Sequence, residues 1–376
     1  MACTASRSCI KSPALLSVGI NASPLAAPRT GVGRYISGLL AAFEQVPDPG
    51  VRVRPLFAPA KIIRSPRGFT ARAFATLRAV AKRLPAAYEL ADTARAAVLA
   101  AEQQRGLTLY HETNHAAPPF RGTVVLTVHD LSTLIVPQTE EPARVRHFAP
   151  ALRMHARDAA RVVTPTHAIA QQVIERLGVP AGRVRAIPHG VEPRFRPEGP
   201  SASPVPGRYV LYVGALGPRK GVDTLLAAWR ALPEPVRREH ALVLAGPLQR
   251  LDPAGLEDAV LLGYVRDDEL PPLLRGAAAF CYPSRYEGFG LPLLEALACG
   301  VPSVASDDPA LVEVAGGCAL HAARGDAEAF AEALRRALED RDLRAELARK
   351  GPARAGEFTW ERSARAHLAV YREAAL

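Results

Sequence analysis

Cysteine, methionine and aromatic residues are scarce in this 376-residue sequence. The five cysteines, Cys3, Cys9, Cys281, Cys299 and Cys318, are odd in number and have no paired spacing. This pattern indicates neither a disulfide framework nor a zinc site. No apolar run approaches the roughly 18–20 residues that cross a bilayer. The sequence therefore argues against an integral membrane protein.

Acidic residues are absent between Asp48 and Glu89, and the basic residues in this interval lie among apolar ones. These basic residues are Arg52, Arg54, Lys61, Arg64, Arg67, Arg72, Arg78, Lys82 and Arg83. Residues 1–195 carry a net charge of +13, whereas residues 196–376 carry −3. We expect residues 49–88 to contact an anionic membrane surface, and the alternative is a basic solvated helix. Nucleic acid is not expected as a partner, because no recognised binding module accompanies the charge.

Two segments repeat one structural pattern. Residues 14–43 combine an apolar strand, a loop containing Gly31 to Arg34, and an amphipathic helix; residues 209–232 repeat this order with a loop at 214–221. Each segment is typical of the opening of a nucleotide-binding βαβ unit, with ligand at the carboxyl ends of the strands. Arg7 and Lys11 before the first apolar stretch also fit a secretory signal. The helical pattern that follows at once favours a buried first strand.

The remaining apolar runs predict further strands that alternate with helices. They lie at residues 124–128, 161–164, 184–187, 241–244, 260–262, 277–281 and 302–305. Such alternation indicates parallel sheets. Residues 192–207 are rich in proline and predict an interdomain linker that permits hinge closure. The sequence thus predicts an α/β fold with two Rossmann-like domains that face each other across a cleft.

The segment from Glu287 to Glu295 sets two carboxylates around a Gly-rich entry to a helix. Pro292 suits the first turn of that helix, so the N–H groups of Gly290 and Leu291 would lie at its positive end and could bind a diphosphate without a metal. We expect Glu295 to lie in the first helical turn and to bind a ribose hydroxyl. Glu287, before the helix, could bind the sugar or stabilise positive charge at the anomeric carbon.

Other candidate residues follow two of the predicted strands. His129 comes directly after the strand at 124–128 and should face the cleft. A neutral imidazole there could donate to a sugar hydroxyl or assist where charge develops on the reacting ring. Arg219 and Lys220 follow the strand at 209–213 and could neutralise a departing diphosphate. Backbone N–H groups around Gly33 could approach the same phosphate from the other domain. The simpler interpretation of Arg219 and Lys220 is a surface ion pair.

These motifs, taken in order, resemble those of the retaining glycosyltransferases of family 4, which have the GT-B fold. The motifs are TGVGRY at 30–35, TVHDLS at 127–132, VVTPTHAIAQQV at 162–173, IPHGVEPRF at 187–195, VGALGPRKG at 213–221, LLGYV at 261–265, the Glu287–Glu295 block, GVPSVAS at 300–306 and FTWERSA at 358–364. The resemblance implies that residues 1–195 bind the acceptor and residues 196–355 the donor. It also implies that residues 356–376 pack back onto the first domain.

The resemblance also assigns roles to residues. It implies Glu295 as the ribose carboxylate, Glu287 as the carboxylate on the donor sugar, Lys220 as the phosphate lysine and His129 as the histidine at the reaction centre. Backbone near Val265 would contact the base, with Gly31, Gly33, Arg219, Gly290 and Leu291 around the donor. No metal or other cofactor is expected. Ala215 stands where many relatives have an arginine, and Arg219 is the candidate replacement.

The resemblance to bacterial polysaccharide mannosyltransferases implies transfer of mannose from GDP-mannose to a glycan or lipid-linked acceptor. The expected location is the cytoplasm, at the inner face of the membrane. A UDP- or dTDP-sugar is the alternative donor. A GT-B epimerase or hydrolase, and a silent nucleotide-sugar-binding subunit, are the alternative classes. Residues 1–12 have no predicted role.

Overall fold

The computed structural model describes residues 15–26, 31–57, 85–250 and 255–376, with the backbone alone for residues 85–91. Two six-stranded sheets form the framework, and every pairing between their strands is parallel. We call the part that contains the first sheet the N-terminal domain, and the part that contains the second sheet the C-terminal domain. The boundary at residue 195 stays a prediction.

The strands of the N-terminal domain are Leu16–Asn21 (β1), Val51–Leu56 (β2), Leu109–Glu112 (β3), Thr123–Thr127 (β4), Arg161–Thr164 (β5) and Val184–Ala186 (β6). Their order in the sheet is β2-β1-β3-β4-β5-β6. The strands of the C-terminal domain are Arg208–Val213 (β7), His240–Ala245 (β8), Ala259–Gly263 (β9), Ala279–Tyr282 (β10), Ser303–Ser306 (β11) and Leu320–Ala322 (β12). Their order is β12-β11-β10-β7-β8-β9.

Helices connect most of the strands. In the N-terminal domain they are Gly31–Gln45 (α1), Pro85–Gln104 (α2), Ser132–Ile135 (α3), Pro142–Asp158 (α4) and His167–Leu177 (α5). In the C-terminal domain they are Val222–Ala231 (α6), Glu234–Glu239 (α7), Leu270–Gly276 (α8), Leu291–Ala298 (α9), Pro309–Ala315 (α10), Ala327–Glu339 (α11) and Arg341–Ala355 (α12). The last helix is Trp360–Ala375 (α13). No helix in the described part of the chain is long and apolar enough to cross a bilayer.

The predicted parallel α/β architecture is confirmed, and the structure corrects several details. Strand β1 lies between β2 and β3, so the interpretation of residues 14–20 as a buried first strand is confirmed. Strands β2, β3 and β12 were not predicted. The predicted loop at Gly31 to Arg34 is wrong, because these residues form the first turn of α1.

The last helix returns to the N-terminal domain. Leu368 and Tyr371 of α13 pack in one cluster with Val18 and Ile20 of β1. Trp360 packs against the apolar face of α1 in a second cluster. The prediction that the C-terminal helix crosses back is therefore confirmed, and α13 supplies part of the N-terminal core.

A buried chain of hydrogen bonds joins α13 to the sheet, and its direction follows from one carbonyl group. His367 Nδ1 must donate to Ser363 O (2.8 Å), so His367 Nε2 accepts from the Tyr35 hydroxyl (2.9 Å). The Tyr35 oxygen then accepts from Thr127 Oγ1 (3.0 Å). Thr127 Oγ1 in turn accepts from His111 Nε2, and His111 Nδ1 accepts from the Tyr371 hydroxyl. Every member is partnered, which fixes α13 in one register on the sheet.

Gly38 lies where α1 and α13 cross, and its replacement by alanine is expected to destabilise the protein. A Cβ atom there would lie 2.3 Å from Cε2 of Trp360, whose indole is packed in the core. Overpacking of this kind costs about 1–3 kcal/mol of unfolding free energy. Urea denaturation measures the change. Gly31→Ala in the same helix is the control, because no described residue lies within 4 Å of its Cβ position. Equal stability of the two variants would contradict the prediction.

The proline-rich segment predicted as a linker connects β6 to β7 without a helix or strand. It is anchored to the C-terminal domain: Phe195 is buried in that core, Ala202 N–H donates to Pro272 O (2.9 Å), and Arg275 Nε donates to Pro200 O (2.7 Å). Fewer residues of this segment can therefore act as a hinge between the domains than its composition indicates.

Candidate active site

The loop between β10 and α9 docks into the N-terminal domain. Tyr286 is buried within a core cluster of that domain. Its hydroxyl donates to Gln172 Oε1 (2.7 Å) and accepts from Leu131 N–H (2.9 Å). Two residues on, Gly288 O accepts from Thr166 Oγ1 (3.1 Å). The two domains thus meet at this loop, and the cleft is closed around it.

Gly288 lies directly against the residue that follows β4. A Cβ atom at Gly288 would lie 1.8 Å from the carbonyl oxygen of His129 and 3.2 Å from Cβ of Asp130. Only a glycine permits this approach. The structure therefore brings the loop that carries Glu287 next to His129, as the two-domain prediction requires.

Glu287 is buried and forms an ion pair with Lys220 from the loop after β7. Arg219 NH1 lies 3.8 Å from the second carboxylate oxygen, and Lys220 Nζ also donates to the Tyr282 hydroxyl (3.2 Å). Burial opposes ionisation of Glu287, but the charges of Lys220 and Arg219 outweigh it and lower the pKa of this carboxyl. Glu287 is thus an anion placed beside two cations.

Arg219 lies between the domains rather than at the surface. Its Nε is 3.4 Å from Glu140 Oε1 of the N-terminal domain, and its NH1 donates to Tyr286 O (2.9 Å). Burial disfavours the charged form of Asp130, yet the charge of Arg219 outweighs this effect and lowers the pKa of Asp130. The surface ion-pair interpretation is wrong for Arg219, which is held among carboxylates of both domains.

His129 lies at the carboxyl end of β4, as predicted, and its tautomer is fixed. Nε2 must donate to the carbonyl oxygen of Thr113 (3.0 Å), and burial lowers the pKa of the imidazole, so the ring is neutral and Nδ1 carries the lone pair. The expectation that His129 donates to a sugar hydroxyl is therefore corrected. In this arrangement Nδ1 can only accept a hydrogen bond.

Glu295 lies one turn into α9, not in its first turn, and Arg34 forms an ion pair with it across the domain interface. Arg34 also lies 3.3 Å from Asp267, which follows β9 two residues after Val265. The second oxygen of Glu295, Oε2, is buried and makes no hydrogen bond to the described residues. A buried acceptor without a partner is unfavourable unless a ligand supplies a donor.

The entry to α9 has the geometry that the sequence predicts. Gly290 caps the helix with φ +90°, Leu291 is its first residue and Pro292 follows in the first turn. Asp308 Oδ2 accepts from Glu287 N–H (3.3 Å), while its Oδ1 caps α10 at Ala310 N–H (3.0 Å). Asp308 therefore positions the backbone of Glu287.

Sequence reasoning missed three residues of the site: Arg34, Tyr286 and Asp308. Asp308 precedes Pro309, which is a pattern typical of a helix start and could have been noticed. Arg34 and Tyr286 had no local signal, because their partners lie in the other domain. The predicted roles of His129, Glu287, Gly31, Gly33, Arg219, Lys220, Val265, Gly290, Leu291 and Glu295 stay predictions. The described residues contain no group of three side chains that could ligate a metal ion.

The parts of the chain that contain the two sheets match two different family models. Residues 31–195 match the model described as Glycosyltransferase Family 4, and residues 198–354 match that of Glycosyl transferases group 1. The O-antigen chain mannosyltransferase B of Escherichia coli is 33% identical over 270 residues, which cover 67% of this chain and 71% of that protein. The chain belongs to glycosyltransferase family 4.

Two further proteins are similar to this family 4 glycosyltransferase. The serotype-specific mannosyltransferase WbdA of Escherichia coli is 30% identical over 221 residues, or 54% of this chain, and the match spans 27% of WbdA. The structure of sucrose-phosphate synthase from Thermosynechococcus elongatus superposes with a TM-score of 0.71 at 22% identity and covers 95% of this chain and 98% of that one. The latter likeness establishes the GT-B fold alone.

The stability of the glycosyltransferase should depend on the ionisation of Glu295. Burial, only partly offset by Arg34, raises the pKa of this carboxyl from 4.5 to about 7. The folded state therefore holds the proton more tightly than the unfolded state, and this stabilisation is complete below pH 4.5 and lost as the pH rises to about 7. Relative to Glu295→Gln, the wild-type unfolding free energy should fall by up to about 1.4 kcal/mol per pH unit in that window. Urea unfolding of both proteins measures it, and parallel pH profiles would refute it.

Proposed function

We propose that this glycosyltransferase transfers mannose from GDP-mannose to a glycan or lipid-linked acceptor, with retention of the anomeric configuration and without a metal. The observation that carries the proposal is the buried Glu287–Lys220 pair, whose glutamate lies on the loop that packs against His129 through Gly288. A carboxylate and an ammonium group side by side match the two charges of a departing nucleotide sugar: positive at the sugar ring and negative at the diphosphate.

Each side chain then has one task. Lys220 and Arg219 neutralise the diphosphate as the bond to the sugar breaks, and Glu287 stabilises the oxocarbenium-like ring from the donor side. The N–H groups of Gly290 and Leu291 at the start of α9 add favourable partial charge for the phosphates. Glu295 accepts ribose hydroxyls through Oε2, and the backbone at Val265 meets the base. His129, on the acceptor side, accepts a hydrogen bond from a hydroxyl at the reaction centre.

Mannose is proposed as the sugar because the O-antigen chain mannosyltransferase B and WbdA carry that activity in their names. The same names support an acceptor in surface polysaccharide synthesis.

The test is nucleotide release from GDP-, UDP- and dTDP-sugars, with and without a chelator. We expect release from GDP-mannose that the chelator does not change, and none in Glu287→Ala. The exposed residue Glu328 supplies the matched control, because Glu328→Gln removes a carboxylate that is exposed to solvent. Release from a UDP- or dTDP-sugar alone would replace the donor assignment, and release from none would support the silent-subunit alternative.

We also propose that the glycosyltransferase is cytoplasmic and binds the inner face of the membrane through residues 49–88. Of the nine basic residues there, only Arg52 and Arg54 lie within the described residues, in β2, and Arg54 pairs with Glu102 at 2.5 Å. The other seven lie outside the described residues. The prediction is that phosphatidylglycerol vesicles sediment the protein and that 0.5 M salt releases it, since salt screens surface charge. Equal binding to phosphatidylcholine vesicles would remove the electrostatic argument.

A further inference from the structure

His115 lies at the centre of a strained turn just after β3. Its φ angle is +67°, and Ala116 N–H donates to Asn114 O (2.8 Å) across it, which defines a γ-turn. A γ-turn with positive φ is rare and strained, above all at a residue that is not glycine. Strain of this kind concentrates at functional sites, where the surrounding structure maintains it.

The surrounding hydrogen bonds hold this turn rigidly. Asn114 N–H donates to Glu112 Oε1 (2.7 Å), and Ala117 N–H donates to His155 Nδ1 (3.2 Å). Glu112 is itself buried and accepts from Asn21 Nδ2 (2.7 Å). Thr113 Oγ1 donates to Asn21 O (2.7 Å). The conformation of His115 is therefore built into the domain.

The imidazole that this turn presents is buried, and one of its two nitrogens has no hydrogen-bond partner among the described residues. His115 is 6% exposed, and its Nδ1 makes no hydrogen bond to any residue that the structure describes. Burial lowers the pKa of His115 to about 3, so the ring is neutral near pH 7 and offers one N–H group and one lone pair. A buried polar atom without a partner is accounted for when a ligand completes its hydrogen bonds.

The position of His115 indicates which ligand this is. Its ring centroid lies 5.9 Å from that of His129, and the two rings are perpendicular. The turn and His129 are directly connected, because Thr113 O accepts from His129 Nε2. His115 also lies close enough to Asp130 to interact with its charge. It therefore belongs to the N-terminal side of the cleft, opposite Glu287 and Lys220.

We propose that His115 binds a hydroxyl group of the acceptor sugar, next to the hydroxyl that reacts, and so contributes to the choice of acceptor. The proposal rests on the proposed function, which places the acceptor on the N-terminal side. A neutral imidazole suits a sugar hydroxyl, which can both donate and accept. A site built around such a group rejects sugars that lack the hydroxyl, because the buried nitrogen is then left unpaired.

Two variants test the proposal, since each tolerates positive φ. His115→Gly keeps the turn and removes the imidazole, whereas His115→Asn keeps the turn and places an amide near the position of Nδ1. With GDP-mannose as donor and methyl α-D-mannopyranoside as acceptor probe, we expect the acceptor KM of His115→Gly to rise at least tenfold. The donor KM should change less than twofold, and His115→Asn should recover most of the acceptor affinity.

Monodeoxy derivatives of the same probe identify the hydroxyl. With the wild-type enzyme, kcat/KM for one deoxy derivative should be at least tenfold lower than for the parent probe. With His115→Gly, kcat/KM for that derivative and for the parent probe should be nearly equal. An unchanged acceptor KM in an active His115→Gly enzyme, or an equal rise in the donor KM, would overturn the proposal for His115 alone. Absence of nucleotide release by the wild-type enzyme would overturn the proposed function and this proposal with it.

Discussion

Glu287→Gln is expected to reduce kcat by about 10²–10³-fold while the donor KM stays unchanged or falls. Glutamine keeps the size of the side chain and removes the charge that would face the sugar ring. Lys220 and Arg219 lose their anionic neighbour at the same time, so more of their positive charge is available to the diphosphate in the ground state. Turnover should therefore fall without a loss of donor binding.

Steady-state kinetics with GDP-mannose and direct titration of the donor separate these two effects. A buried cation without its partner lowers the free energy of unfolding by about 3–5 kcal/mol, so the assay temperature has to lie below the Tm of the variant. Glu328→Gln controls for loss of a surface carboxylate. A parallel loss of donor binding and kcat would mean that Glu287 serves only to hold Lys220 in place.

Gly288→Ala is expected to lower kcat/KM at least 100-fold. The three atoms nearest to the new Cβ, at 1.8–3.2 Å, all belong to His129 and Asp130 of the N-terminal domain. The methyl group therefore blocks the approach of the two domains without crowding the domain that carries it. A displacement of about 1 Å between reacting groups is enough for a loss of this size.

Gly182→Ala is the matched control, because it adds the same methyl group where none of the residues that the structure describes lies within 4 Å. Small-angle scattering should give a larger radius of gyration for Gly288→Ala than for the control, since the variant cannot reach the closed arrangement. Wild-type activity of Gly288→Ala would show that catalysis does not need this contact.

The sequence predicted the fold where apolar side chains alone determine a strand. It failed at β3, which reads Leu-Tyr-His-Glu, because His111 and Glu112 are polar and fully buried. Several hydrogen bonds stabilise their burial, and among them those from Tyr371 and Asn21 come from distant parts of the chain. No local pattern carries that information.

The same reason separates the site residues that the sequence predicts from those that it does not. Glu287, Lys220 and His129 follow strands of the two sheets, and the rule that ligands bind at the carboxyl ends of parallel strands finds them. Arg34 lies in a motif that the sequence displays, but its contact with Glu295 appears only when the two domains are placed together. His115 is a candidate because of its positive φ angle, which the sequence does not reveal.

The position of α13 determines the order in which the chain can complete its folding during synthesis. The C-terminal domain is contiguous from β7 to α12, so all its strands have emerged from the ribosome before Trp360 does. The N-terminal domain needs Tyr371 to finish its core and its hydrogen-bond chain. The first half of the chain therefore forms the domain whose core is completed last, and until then Tyr35 and His111 lack the partners that α13 supplies.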